Sequence, residues 1–387
     1  MRQFDYLMPV KIIYGAGRVS EIGEIAKKFG DNCVLVTVKE FEAVAPMFRK
    51  VLQSLKDAGM NVAHFDGVIP NPTTEVAAAG AKMAVEIKAD VIIGLGGGSS
   101  MDAAKAIAVE ASHEGSAWDY LHYKTPPTDK TLPIIAISTT SGTGSQTTQC
   151  SVVTKTDVKD KSAIWHPNIY PKVAIVDPEL MVTLPAKMTA VTGFDVFAHA
   201  FEGYISVGAS PITEMFSLEA MKVVIENLKT VIADGTNVEA RGALAYADTL
   251  SGSVITNAGV TLPHGLGMQI SGHCPHIAHG VSLALTYPEF TRYTYESAIE
   301  KFATVGRMFN AELCKVSDAE AAKACCVEID KFLKEIGLWI GFKGMNVTKE
   351  ELREIADCGQ VLSDYQNNPR VATIDEMYEM LMSSYER

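Results

Sequence analysis

The sequence predicts an α/β domain with a parallel, Rossmann-like sheet over residues 1–184 and an all-helical domain over residues 185–387. Three observations predict it. Compact apolar runs alternate with helical periodicity throughout the first half. After Pro185 β-branched runs become rare and long helical stretches take over. The length, 387 residues, suits two cores better than one.

The elements follow in order. "NCVLVTV" (32–38) is a compact, valine-rich strand. A helical period comes next in "APMFRKVLQSLKDAGM", closed by Gly59, and "NVAHFDGV" is the second strand. "PTTEVAAAGAKMAVEIKA" reads as a helix capped by Thr74. "DVIIGLGGG" is a buried-strand run ending in glycine, and "SSMDAAKAIAVEAS" is the helix behind it. "LPIIAISTT" and "KVAIVDP" are further strands, and "HYKTPPTDKTL" is a surface loop. Strands alternating with helices argue for a parallel sheet covered on both faces. Beyond Pro185 the helices are "AKMTAVTGFDVFAHAFEGYIS", "PITEMFSLEAMKVVIENLKTVIA", "EARGALAYADTLSGSVITNAG", "AEAAKACCVEIDKFLKEIG" and "TKEELREIADCGQVL".

Composition narrows the function classes. Apolar residues make up 47% and charged residues 21%, which suits packed cores and excludes a disordered chain. A net charge of −12 argues against a wide basic face for nucleic acid. The seven cysteines are scattered, with no CxxC pair, as expected of reduced thiols in a cytoplasm. No run approaches the length of a membrane span. The opening "MRQFDYLMPVKIIYG" lacks the long apolar region of a signal peptide. The expectation is a cytoplasmic protein with no membrane partner.

"IIGLGGGSSMDAAKA" (92–106) follows a strand and opens a helix. Gly96, Gly97 and Gly98 remove side chains where a phosphate could approach the backbone. Ser99 and Ser100 add hydroxyls, and the helix start adds unpaired N–H groups. This pattern suits a pyrophosphate cradle better than a bare tight strand–helix turn, because three consecutive glycines cost backbone entropy. "STTSGTGSQTT" (138–148) also follows a strand, so both segments occupy the strand ends where ligands of open α/β sheets bind. It is either a polar rim around the same ligand or a flexible loop. "YGAGRVSEIG" (14–23) nearly matches the dinucleotide fingerprint but has Ser20 at the third glycine, so it carries little weight.

"TGFDVFAHAFEGY" (192–204) reads as an amphipathic helix with two misfits. Asp195 and His199 stand four apart, one above the other on a single face. Burying a carboxylate without a partner is costly. The pair is therefore a satisfied core hydrogen bond or half of a metal site. Four of the nine histidines lie within "PHGLGMQISGHCPHIAHG" (263–280): His264, His273, His276 and His279. With Asp195 and His199 they can supply a mixed N/O shell for Fe²⁺, Zn²⁺ or a similar ion.

Taken together, "GGGSSMDAAKA", "STTSGTGSQTT", "PKVAIVDPELMVTLP", "TGFDVFAHAFEGYIS" and "PHG…AHG" resemble the iron-containing alcohol dehydrogenase family, over nearly the whole chain. Its wider superfamily includes dehydroquinate synthase and glycerol dehydrogenases, so the resemblance implies a dehydroquinate synthase-like architecture. It implies metal ligands at Asp195, His199, His264 and His279. It places Gly97, Gly98, Ser99 and Asp102 at the cofactor, and Thr139, Thr140 and Thr148 along the nicotinamide side. Lys161 matches a lysine near the cofactor, and Leu180 a packing residue there. The implied reaction is hydride transfer between NAD(P)(H) and a small alcohol or aldehyde, in a homodimer.

Two departures bear on the chemistry. Many relatives carry a further histidine four residues after the third ligand, placed for proton relay. Met268 stands there in this chain, so either His273 takes over the relay or no side chain does, and His273 or His276 can also compete as ligands. Relatives that prefer NAD often have Asp after "VT" at the end of the second strand. Here Val38 and Lys39 follow, which favours NADP(H) because Lys39 can pair with a 2′-phosphate, while Glu40 disfavours it. The metal is iron, zinc, manganese or nickel, and the substrate is left open. The alternatives are a dehydroquinate synthase-like or polyol-type metal/NAD enzyme, and a non-catalytic nucleotide- and metal-binding protein. The first would need basic residues around a phosphorylated sugar acid, and the helical half shows no Lys/Arg cluster near the ligands.

Overall fold

The structure, a computed structural model, describes residues 3–387, with the backbone alone at Tyr123. The chain forms two compact units. Leu7–Pro185 and Asp234–Gly252 make an α/β unit. The described residues up to Tyr6, with Ala186–Ala233 and Ser253–Arg387, make a helical unit.

In the α/β unit the strands are β1 (Lys11–Tyr14), β2 (Asn32–Val38), β3 (Asn61–Val68), β4 (Val91–Gly96), β5 (Ile134–Ser138), β6 (Cys150–Lys155), β7 (Asp160–Trp165) and β8 (Val173–Val176). The helices are α1 (Ile22–Lys27), α2 (Ala45–Asp57), α3 (Thr74–Glu86), α4 (Gly98–Glu110) and α5 (Ala117–Tyr120). The main sheet has the order β1-β8-β5-β4-β2-β3, parallel throughout.

Alternation along each strand sends side chains to opposite faces. Val34, Val36, Ile92 and Ile134 meet α3 and α4 through Ala77, Ala84, Ala104 and Ile107. Cys33, Leu35, Ile93 and Ile135 meet α1 and α2 through Ile22, Ile25, Phe48, Val51 and Leu55. Both faces are covered, which is why β4 and β5 are buried along their whole length, with polar Ser138 only at the end of β5.

Three local expectations shift. The cap of α3 is Thr73, not Thr74: Thr73 is extended and its side chain accepts from Val76 N, while Thr74 is already helical. β1 is a short edge strand whose four residues carry little period. β6 and β7 form a hairpin turned by Thr156–Val158 and by Lys159 at φ 51°, with none of the Asn-Gly or Asp-Gly pairs that announce such turns.

The helical unit contains α6 (Ala186–Ile205) and α7 (Pro211–Ala233). α8 (Val238–Ala258) divides at Gly252/Ser253 between the two units. α9 (Leu262–His273), α10 (His279–Thr294), α11 (Ile299–Phe309), α12 (Asp318–Glu335), α13 (Lys349–Asp357) and α14 (Ile374–Ser383) complete it. α6 is not amphipathic. From Gly193 to Ile205 every residue is buried, so it is a core helix with neighbours on all sides. Phe201 stacks on Phe197 and meets Phe302 edge-on. α10 crosses α6 closely: a Cβ on Gly280 would lie 2.3 Å from the Val191 carbonyl oxygen. Among the described residues no helix is long and apolar enough to cross a membrane.

Candidate functional site

α6 carries Asp195, His199 and Glu202 at i, i+4 and i+7, so all three share one face. His264 comes from the first turn of α9. Asp195, His199 and His264 are 3%, 5% and 5% exposed, and each offers one ligand atom within 4.8 Å of the others. His264 Nε2 lies 3.5 Å from Asp195 Oδ1, and His199 Nδ1 lies 3.7 Å from the same oxygen. The two imidazoles stack with centroids 4.4 Å apart.

These distances are too long for good hydrogen bonds. Asp195 Oδ1 and His264 Nε2 are both buried without a hydrogen-bond partner. A buried carboxylate left uncompensated costs several kcal/mol, so a core would not gather these atoms merely to fill space. A mixed N/O donor set with its lone pairs turned to one point fits a divalent cation.

Glu202 settles the tautomer of His264. Its Oε1 lies 2.7 Å from His264 Nδ1, and an ionised carboxylate only accepts, so Nδ1 keeps its proton and Nε2 is the nitrogen left to serve a cation. Glu202 is fully buried and is itself held by Thr261 N, Thr261 Oγ1 and the Tyr287 hydroxyl. The sequence reading passed over this residue. The i+7 spacing from Asp195, on an apolar helix, was the available signal.

Electrostatics agree with the donor geometry. Burial alone raises the Asp195 carboxyl, but His199, His264 and His279 outweigh it and hold the group at about 2. Burial lowers His264, yet Glu202 and Asp195 more than offset this and push it up to about 10. Without a cation that ring therefore also holds a proton on Nε2, facing Asp195, and a cation bound at this point takes the proton's place.

The other histidines separate. His279 opens α10, half-buried, with its ring centroid 5.3 Å from that of His264 and its charge acting on Asp195. It stands outside the tight group of three among the described residues. His273 Nδ1 is bonded 3.0 Å from the Gln269 carbonyl of its own helix. His276 is exposed, with Nε2 at 3.0 Å from the Met345 carbonyl. Met268 is buried.

In the α/β unit, β2 and β4 are neighbours whose following helices cover opposite faces of the sheet. Their carboxyl ends therefore open a crevice at a topological switch point. Gly97, Gly98 and Ser99 stand at the end of β4, and α4 starts there without a side-chain cap on its first N–H groups. Lys39 is exposed just past the end of β2. Thr139 N donates to the Gly96 carbonyl, so the 139–148 loop begins directly beside the glycines. A Cβ on Gly98 would lie 2.6 Å from Thr143, so this glycine lets the two loops pack together.

Several residues tied to the cofactor by resemblance organise this loop pair. Asp102 accepts from Ser145 Oγ at 2.6 Å and from Val152 N at 3.0 Å. Thr148 accepts from Lys105, a fully buried lysine on α4 that the sequence reading did not single out. Burial lowers Lys105 to about 8, against the opposing pull of Asp102. Lys161 donates to Asn71 Oδ1 at 2.9 Å, and Leu180 packs beneath the sheet with Ile175. Thr139 and Thr140 are partly exposed. The 14–23 segment has its N–H groups engaged: Gly17 N and Val19 N donate to the buried Asp177 carboxylate.

Comparison with known proteins gives the family. The model of the iron-containing alcohol dehydrogenases matches residues 9–178, and that of the Fe-containing alcohol dehydrogenase family C-terminal region matches residues 189–385. The chain is 32% identical to the NAD-dependent methanol dehydrogenase of Bacillus methanolicus, over 98% of this chain and 99% of that protein. It is 33% identical to the 1,3-propanediol dehydrogenase of Klebsiella pneumoniae, over 99% of each. Among solved structures, the archaeal Red Sea brine pool alcohol dehydrogenase ADH/D1 superposes with a TM-score of 0.93 at 33% identity, covering 99% of this chain and 100% of that one. A sulfoacetaldehyde reductase from Bifidobacterium kashiwanohense, solved in complex with NAD⁺, gives 0.86 at 29% identity with full coverage of both chains. Matched by its family over both halves, the chain belongs to the iron-containing alcohol dehydrogenases and is an enzyme of alcohol and aldehyde oxidoreduction.

Proposed function

We propose that Asp195, His199, His264 and His279 are the ligands of a divalent cation, iron first among Fe²⁺, Zn²⁺, Mn²⁺ and Ni²⁺, in a dehydrogenase of small alcohols and aldehydes. The supporting observation is the pair of buried, unpartnered lone-pair atoms on Asp195 and His264, with Glu202 locking the His264 tautomer. Such an ion supplies Lewis-acid polarisation of a substrate oxygen. Asp195 balances part of the positive charge, and the buried helices around α6 exclude water. Glu202 keeps the proton on Nδ1 of His264. His273 is the side chain proposed for proton relay.

In the α/β unit the reading assigns Gly97, Gly98 and Ser99 to the pyrophosphate, Thr139, Thr140 and Thr148 to the nicotinamide side, and Asp102, Lys161 and Leu180 to the same site. The dinucleotide is NAD(P), and Lys39 supports the 2′-phosphorylated form. Glu40 beside it opposes this, as does Asp66, whose charge acts on His64, the bonding partner of Thr37. Held there by the residues assigned to it, the dinucleotide would supply the hydride donor or acceptor for the substrate carbon. We further propose that the α/β unit binds the nucleotide and the helical unit the metal, with Asp234–Gly252 returning to the former across the expected 184/185 boundary, in a homodimer with a cytoplasmic location.

His264→Ala is expected to lose bound metal and turnover together while keeping its far-ultraviolet circular dichroism. Full activity in that variant would refute the ligand assignment. For the dinucleotide, kcat/KM with NADPH is expected to exceed that with NADH, and Lys39→Ala is expected to reverse the order. A preference for NADH in the unaltered enzyme would reject the role of Lys39.

A further inference from the structure

The loop from Thr139 to Cys150 is held by two buried charges of opposite sign, both within the α/β unit. Lys105, 0% exposed, donates to the carbonyls of Ser145, Thr148 and Cys150 at 2.7, 3.0 and 2.7 Å. Asp248 on α8 is 1% exposed and takes the loop's N–H groups instead. Its Oδ1 accepts from Gly142 N at 2.8 Å and Gly144 N at 2.9 Å, and its Oδ2 accepts from Gln146 Nε2 at 2.7 Å. The cation satisfies carbonyls and the anion satisfies amides, so neither can substitute for the other.

The loop also rests directly on the backbone of α8. Gly144 has φ +61°, and a Cβ there would lie 2.5 Å from Gly252 Cα. A Cβ on Gly252 would lie 2.6 Å from the Gly144 carbonyl oxygen. Asp248 stands one turn before Gly252, so one helix supplies both the seat for the loop and the acceptor for its N–H groups.

We propose that Asp248 is a positioning residue for the dinucleotide: paired with the Gln146 amide, its carboxylate sets the 139–148 loop in the shape that meets the cofactor. This rests on the reading above that the loop lines the dinucleotide. The pair needs one donor and one acceptor. Gln146 is fully buried, so a misplaced charge there finds no water. Gln146→Glu sets a second carboxylate against Asp248. Asp248→Asn turns the partner into a donor that a glutamate at 146 can accept from, while its remaining oxygen still serves Gly142 and Gly144.

The test is a double-mutant cycle of Gln146→Glu, Asp248→Asn and their combination, with Asp248→Ala beside it, read on dinucleotide KM and Kd, kcat, aldehyde KM, bound metal and melting temperature. Gln146→Glu and Asp248→Ala are expected to weaken dinucleotide binding by about ten- to hundredfold, the size of a stranded buried polar group. Metal content is expected to stay unchanged. The Gln146→Glu/Asp248→Asn double variant is expected to bind dinucleotide at least about tenfold more tightly than Gln146→Glu. If the single variants fail to fold, a double variant that folds and binds dinucleotide like the unaltered enzyme carries the proposal, and one that does not overturns it. Rescue confined to melting temperature, with dinucleotide binding unmoved in every variant, overturns the positioning role and with it the reading that the loop lines the cofactor. Absence of rescue in both overturns the pairing itself and leaves that reading standing.

Discussion

Glu202 shows how one side chain can decide the chemistry of another. Without it, either nitrogen of the neutral His264 ring could carry the proton, and rings protonated at Nε2 would present N–H where a lone pair is required. With it, the ring is fixed by a 2.7 Å contact and by a carboxylate that Thr261 N also holds in place. Glu202→Gln keeps the volume but removes the charge and offers an amide able to donate to Nδ1. We expect metal affinity to fall by about 10–100-fold, the usual effect of losing such a partner, with the melting temperature of the metal-free protein little changed. Competition with a chromophoric chelator measures this, and unaltered affinity would show that the helix alone orients His264. Asp195 needs no such partner: it lies one turn before His199, and the helix itself sets their relation.

At the scale of elements, what counts is where helices begin. α9 and α10 start at Leu262 and His279, so His264 lies in the first turn of one and His279 opens the other. Elsewhere the capping is carried by short polar motifs. α14 begins with a capping box in which Thr373 and Glu376 bond each other's backbone N–H groups. The backbone N–H of Thr373 is the main reason that the Glu376 carboxyl sits below its ordinary range, with Tyr293, Thr373 and Arg370 adding to it. A lowered carboxyl contributes stability above its unfolded value, and that stability is lost as pH falls through the folded value. Glu376→Gln is therefore expected to lower the melting temperature at pH 7 and to lower it less near pH 3. Thermal melts at both pH values measure it, and an equal loss at both would mean that the charge plays no part. The effect will be small, since Glu376 is partly exposed and surface pairs are screened.

At the scale of the whole molecule, the α/β unit is not a continuous stretch. Asp234–Gly252 returns to it, and its ties are specific. Arg241 donates to the carbonyls of Leu184 and Gly235, the Tyr14 hydroxyl donates to the Gly242 carbonyl, and Asp248 holds the 142–146 turn. A fragment ending at Pro185 leaves Gly142 N and Gly144 N without their acceptor and exposes the seat of the loop. We expect that fragment to lack the sharp cooperative unfolding of the full chain. Urea titration followed by circular dichroism tests it, and a cooperative fragment with full β-signal would show that the returning segment is dispensable.

Local pattern was enough for the parallel sheet, because strands buried on both faces read as near-continuous apolar runs, and β4 and β5 do up to Ser138. It was also enough to pick out Asp195 with His199, since four residues of helix define a shared face whatever surrounds it. Resemblance to a family extended this to His264 and His279. The hairpin β6–β7 was illegible because its turn uses a lysine at positive φ where no residue type signals one. Glu202, Lys105 and Asp248 were illegible for a different reason. A buried charge is defined by the partners that surround it, and those partners are 62, 40 to 45 and 102 to 106 residues away along the chain. Sequence spacing determines which side chains share an element. Only the packing of distant elements decides which of them face one another in a medium where water cannot intervene.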